Sequence, residues 1–214
     1  MNNTALPSAI RQPAAAAMAG LIFGFTLGWM LLLVHSVAPT DATLWTDWAD
    51  DASRREAINL AVNLIPFAGI AFLWFIAVVR ARVGSSTDRF FETVFLGSGL
   101  LFIAALFVTA AALKAILLLT DAGIELSSDT LGFAWAFGSA MLGTFGARMA
   151  AIFTLTVATT GMRSKTIPRW LAIAGYAIGI LLLLTPPLPS LVQFLFPAWV
   201  VALSVLILVR SRRR

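Results

Sequence analysis

The tightest constraint on this chain is a succession of apolar runs, each long enough to cross a bilayer, joined by loops too short to fold alone. A spanning helix needs about 20 mostly apolar residues. Six stretches qualify, at roughly 14–37, 57–79, 92–119, 131–160, 169–186 and 190–209. The expected fold is an all-α six-helix transmembrane bundle, a single integral membrane domain over residues 1–214. Composition agrees. The chain is 60% hydrophobic and 12% charged, against about 45–50% and about 25% in soluble domains. The first run begins after Arg11 and outlasts the usual h-region of a signal peptide. Ser36-Val37-Ala38 mimics a cleavage site, but Pro39 would follow the cut, so the run is read as a retained helix. The last two runs are divided only by Thr185-Pro186-Pro187-Leu188-Pro189. Prolines there exclude one long helix and predict a tight turn, with a re-entrant pair as the other reading.

The charges predict orientation. One side of the membrane collects Arg11, Arg80, Arg82, Arg89, Arg163, Lys165, Arg169, Arg210, Arg212, Arg213 and Arg214. The other collects Asp41, Asp47, Asp50, Asp51, Glu56, Asp121, Glu125 and Asp129, with Arg54 and Arg55 as its basic residues. The positive-inside rule then sets both the N and C termini in the cytoplasm. The net charge of +5 is read as this topology signal, not as a nucleic-acid surface. Ser53 to Glu56 matches a capping box that would open the second helix, and Asp129 is a candidate cap for the fourth. Trp170 and Trp135 are expected at the two interfaces. Trp45 and Trp48 would put the first outer loop on the membrane surface or over the bundle as a lid.

Helices in lipid pack where small side chains let backbones approach. The first span repeats Ala16, Gly20, Gly24 and Gly28 at intervals of four. The fourth repeats Ser139, Gly143, Ala147 and Ala151, and the fifth carries Gly175 and Gly179. These are the expected helix-packing ridges. The first and fourth spans would open two three-helix halves of opposite orientation, as in transporter inverted repeats; recurrent ridges in an ordinary bundle explain them as well. Pro66 and Pro197 are expected to kink the second and sixth helices.

Polar residues inside the spans are the candidate site. Glu56, Asn59 and Asn63 fall on one face of the second helix, expected to point inward. Lys114 lies two turns before Asp121, and His35 lies near the outer end of the first span. Together Asn59, Asn63, Lys114 and His35 would line an outward vestibule that takes a ligand. The competing readings are a snorkelling lysine, interhelical asparagines and an interfacial histidine. Arg148 lies about midway between Asp129 and Arg163 in a run with no other charge. An arginine at the centre of a span costs roughly 2.5–3.5 kcal/mol on insertion scales, so it should face protein or water. Glu92, the nearest acid in the spans, would be a stretched partner. Three answers stay open: structural bonds to carbonyls and hydroxyls, an anionic lipid or small anion, or a carboxylate on another subunit. The planar guanidinium suits the last two.

Chemistry is otherwise sparse. The chain has no cysteine and one histidine. It carries no HExxH, no GxSxG and no paired carboxylates inside a span, and the clustered outer acids read as a solvated loop. No metal, no cofactor and no nucleic-acid partner is implied. The segments VNLIPFAGIAFLWFIAVVRARVG, RFFETVFLGSGLLFIAALF, IPRWLAIAGY and FPAWVVALSVLILV resemble uncharacterised multi-pass membrane proteins of high-GC Gram-positive bacteria. The resemblance implies a bacterial cytoplasmic membrane, a cell membrane, and carries no activity with it. Two function classes follow. One is a non-enzymatic protein acting by helix–helix association in the lipid bilayer, as an accessory subunit of a membrane protein partner or as a homo-oligomer. The other is a small transporter or a lipid- or anion-binding protein with its site at Arg148. An intramembrane enzyme is the third and least supported class.

Overall fold

The structure is a computed structural model that describes residues 11–37, 51–83, 89–184 and 190–212. Trp45, Trp48, Asp41, Asp47 and Asp50 of the first outer loop, the prolines Pro186, Pro187 and Pro189, and Arg213 and Arg214 lie outside the described residues. All described secondary structure is helical: α1 (Arg11–Val37), α2 (Ala52–Val83), α3 (Arg89–Asp121), α4 (Ser128–Ala140), a π-helical turn (Met141–Gly146), α5 (Ala147–Arg163), α6 (Arg169–Leu184), α7 (Ser190–Gln193) and α8 (Leu195–Arg212). Ala17–Ser36, Ala52–Arg80, Phe90–Asp121 and Ser128–Arg163 are long and apolar enough to cross a membrane. Arg169–Leu184 and Leu195–Arg210 are apolar but shorter. The chain is an all-helical, membrane-embedded protein.

Several helix ends have a local cause. Asp51 opens α2: one carboxylate oxygen accepts from the Ser53 amide at 2.9 Å, the Arg54 amide at 3.3 Å and the Ser53 hydroxyl at 2.6 Å. The expected cap at Ser53 is therefore corrected to Asp51, because a carboxylate reaches the first free amides two residues earlier. Ser127, not Asp129, caps α4; its hydroxyl accepts from the Thr130 amide at 3.3 Å. α3 ends on Gly123 at φ 74°, with the Ile124 amide on the Leu119 carbonyl at 3.1 Å and the Gly123 amide on Thr120 at 3.0 Å. That is the Schellman pattern. α5 ends the same way, with Lys165 at φ 56° where a glycine would be unstrained. α2 runs through Pro66 as one helix. Pro197 falls in the first turn of α8, and the break lies just before it at Phe194. Proline lacks the amide that would bond the carbonyl four residues back, on Gln193.

Packing follows chain order. α1 lies against α2, α2 against α3, α3 against the α4–α5 helix, α5 against α6, and α8 returns to α1. The result is a ring of helices filled by phenylalanine. Phe72 is central: its ring centroid lies 4.3 Å from Phe23, 5.0 Å from Phe153, 5.5 Å from Phe102 and 5.8 Å from Phe196. Edge-on and offset contacts of this kind favour aromatic pairs. Buried hydroxyls answer to backbone. Thr154 and Thr160 bond carbonyls four residues back, and Thr109 also reaches the Gly138 carbonyl of the neighbouring helix at 3.1 Å. The Trp199 indole donates to the Leu171 carbonyl at 3.1 Å.

Candidate functional site

Arg148 follows the π turn. In that turn the Ala147 amide bonds the Leu142 carbonyl, five residues back. A π turn adds a residue to the helical repeat, and such bulges are frequent at functional sites. The half-buried guanidinium donates from Nη1 to the Thr144 carbonyl of its own helix at 2.7 Å. The stretched pairing with Glu92 does not form. Glu92 accepts from Arg80 Nε at 2.6 Å, because α2 brings Arg80 beside the start of α3. The ion pairs among the described residues are Arg80–Glu92 and Arg54–Asp51, so no carboxylate there meets Arg148.

α6 packs along this helix, and its last described turn comes near the arginine. Tyr176 Oη donates to Thr159 at 2.9 Å, and a side chain at Gly179 would meet Leu155 Cγ at 2.6 Å. That antiparallel register brings the last turn of α6, Leu182–Leu184, level with Arg148. Leu182 and Ala147 accordingly line one cavity, with Leu27, Leu31, Phe102, Leu142, Gln193 and Phe196 among its other walls. Its volume is about 30 Å³, room for two or three waters at most. Gln193 is the polar side chain on this wall, and its Nε2 is 3.9 Å from the Cβ position of Gly143.

The other expected residues separate into two places. Asn59 Oδ1 accepts from Lys114 Nζ at 2.7 Å and from Asn63 Nδ2 at 3.3 Å. These three meet, but not inside the bundle. Asn63 and Glu56 are exposed, while Ile58, Ile65 and Phe72, seven apart, fill the ring. The expectation of an inward polar face is corrected to a polar seam on the outside of α2 and α3. His35 is elsewhere, edge-on to Phe194 at 5.9 Å. α2 stands between α1 and α3, so among the described residues His35 and Lys114 do not meet.

The ridges divide too. A Cβ on Gly20 would strike Ser204 Oγ and lie 2.7 Å from Phe75; one on Gly24 would strike Val201 and lie 3.0 Å from the Pro197 carbonyl. Gly175 faces Trp199 at 3.0 Å. Gly28 meets nothing within 4 Å, Gly143 only Gln193, and Ser139 is exposed. Among the described residues nothing presses on Gly28, and the buried Gly143 meets only the tip of Gln193 at 3.9 Å, so neither is a close-packing position like Gly20. Ala147 is buried at the cavity wall. The residue pattern missed Gly69, 2.7 Å from Phe107, and Gly99, 2.6 Å from Ile76. It also missed the π turn, whose signal is the helix-weakening run Gly138, Gly143 and Gly146. Comparison with protein-family models, curated proteins and solved structures finds no match to this chain.

Proposed function

We propose that this chain is a non-enzymatic six-span protein of a bacterial cytoplasmic membrane, with both termini in the cytoplasm, and that it works by holding an anionic group at Arg148. The supporting observation is the guanidinium itself: a half-buried cation bonded to one carbonyl, with no carboxylate beside it among the described residues. Arg80 with Glu92, Arg163 over the Phe91 ring at 5.0 Å, and Arg210 bonded to the Thr166 carbonyl at 2.6 Å form a polar belt at one end of the ring. Taken as the inner boundary, this belt is a ruler. Gly146 lies against Ala105, thirteen residues from Glu92, so Arg148, two residues nearer that belt, stands about 16 Å from it, near the middle of a hydrocarbon core of about 30 Å. Lys114, twenty-two residues from Glu92, then stands at about 33 Å, level with the headgroups.

Passage of a solute is less well supported than retention, because the phenylalanine cluster fills the ring axis. A second reading, association with another membrane helix, is favoured by one observation: Asn63 stands exposed on the lateral face of α2. Asparagine amides in lipid seek partners across helices. Against it, Gly20, Gly24, Gly175 and Gly179 are already consumed by internal contacts.

Native mass spectrometry of the gently extracted protein tests the choice. Retention of an anionic lipid or metabolite that Arg148→Ala loses, with expression and unfolding midpoint intact, supports the site. A stoichiometric protein partner lost in Asn63→Leu would establish association instead. Identical adducts on the wild type and Arg148→Ala refute the proposed site.

A further inference from the structure

We infer that the basic end of the ring binds the headgroup of an anionic phospholipid at the turn between α5 and α6, a site separate from Arg148. Two contacts assemble it. Arg210, near the end of α8, donates from Nη1 to the Thr166 carbonyl at 2.6 Å and so clasps α8 to the turn. Arg163, the last residue of α5, lies over the Phe91 ring at 5.0 Å, which sets the start of α3 beside the same turn. Lys165 stands in the turn at φ 56°, and Arg169 opens α6. Arg163, Lys165, Arg169 and Arg210 are all exposed. Three of these cations come from a seven-residue segment, and the fourth is pinned to its middle.

The charge there is not balanced from within the chain. The acids that the sequence offers this end are Asp88 and Glu92, against eleven basic residues. Glu92 is held by Arg80 at 2.6 Å. Asp88 lies outside the described residues and can offset one cation. No carboxylate among the described residues meets Arg163, Lys165 or Arg169. Their donors suit a phosphate. Stacking on Phe91 occupies the face of the Arg163 guanidinium and leaves its in-plane N–H fork for two-point bonding. The Lys165 ammonium adds three donors. The neighbouring rings favour a lipid over a free anion. Trp170, beside Arg169, is 63% exposed, and Phe90, beside Phe91, is 65% exposed. A phospholipid gives its phosphate to the cations and its chains to these rings, whereas inorganic phosphate answers the cations alone. Each basic residue near an anionic leaflet strengthens attraction about fivefold.

The test uses the full chain in detergent micelles. The probes are phosphatidylglycerol, phosphatidylcholine with the same chains, and sodium phosphate, each titrated and read by native mass spectrometry. The expected result is a phosphatidylglycerol bound at least about tenfold more tightly than phosphatidylcholine, the scale of one charge-assisted hydrogen bond. Lys165→Gly should reduce that preference about fivefold. It relieves the positive φ, so the loss cannot be ascribed to misfolding. Arg163→Gln with Lys165→Gly should erase the preference, and Lys114→Gln, at the opposite end of the ring, should leave it unchanged. The same preference should persist in Arg148→Ala, which separates this site from the one proposed above. A preference that survives the double variant, or that vanishes with Arg148→Ala alone, overturns the inference. So does an equal loss in Lys114→Gln, which would mean attraction to net charge without a site. If sodium phosphate displaces the lipid at equal concentration, the lipid assignment is overturned in favour of a free anion.

Discussion

Two glycines on one ridge provide a sharp test of the packing. Gly20 and Gly28 occupy equivalent positions in the four-residue repeat of α1, yet their surroundings are opposite. A Cβ at Gly20 would overlap Ser204 Oγ and press on Phe75 at 2.7 and 2.9 Å. Neither neighbour can yield. Ser204 is fully buried and its hydroxyl is committed to the Val200 carbonyl at 2.7 Å. Phe75 is fully buried between Phe72 and Phe153. Overpacking costs about 1–3 kcal/mol, and so deep an overlap belongs at the upper end. Alanine recovers up to about 1 kcal/mol of helix propensity, which leaves Gly20→Ala destabilised by about 2 kcal/mol. Gly28→Ala meets open space and retains only the gain of up to about 1 kcal/mol. The two variants should therefore differ by about 3 kcal/mol, on the order of a hundredfold in the unfolding equilibrium. Reversible SDS unfolding in mixed micelles, followed by tryptophan fluorescence, measures both on one scale. Equal shifts, or a larger loss at Gly28, would refute the placement of α1 between α2 and α8.

Two local features give further tests. The Ser53 hydroxyl beside Asp51 holds its carboxyl below the ordinary value of 3.8, and the Arg54 and Ser53 amides and the Arg54 guanidinium act in the same direction, against a weaker desolvation effect. A depressed folded-state value means the cap is fully stabilising above the ordinary value and is lost as pH falls through the lower one. A carboxyl NMR titration should show the Asp51 midpoint rising in Ser53→Ala; an unchanged midpoint would contradict the cap. Lys165 sits at φ 56°, where a Cβ costs about 1–2 kcal/mol. Lys165→Gly should raise the SDS unfolding free energy by about 1 kcal/mol, while Lys165→Ala should not; a loss with glycine would mean the lysine side chain, not its backbone, holds the turn.

Much of the architecture was legible before any coordinates, and for a physical reason. Helix formation in a run such as Phe90–Asp121 depends on local composition and a 3.6-residue period, so it can be read along one segment. The meeting of Asn59 with Lys114 was legible for the same reason, since each lies seven residues inside the same end of two adjacent antiparallel helices. Contacts across the ring were not legible. Whether Gly20 is pressed and Gly28 free depends on where Ser204 and Phe75 arrive from other helices. That Glu92 answers Arg80 and leaves Arg148 without it depends on how α2 packs against α3. The outward turn of Asn63 follows from Ile58, Ile65 and Phe72 taking the interior. The sequence by itself determined which segments are helical and apolar, because that is set by neighbours in the chain. Only the tertiary structure decided which face of each helix is buried and that Glu92 pairs with Arg80 and not with Arg148, because both depend on residues far apart in sequence.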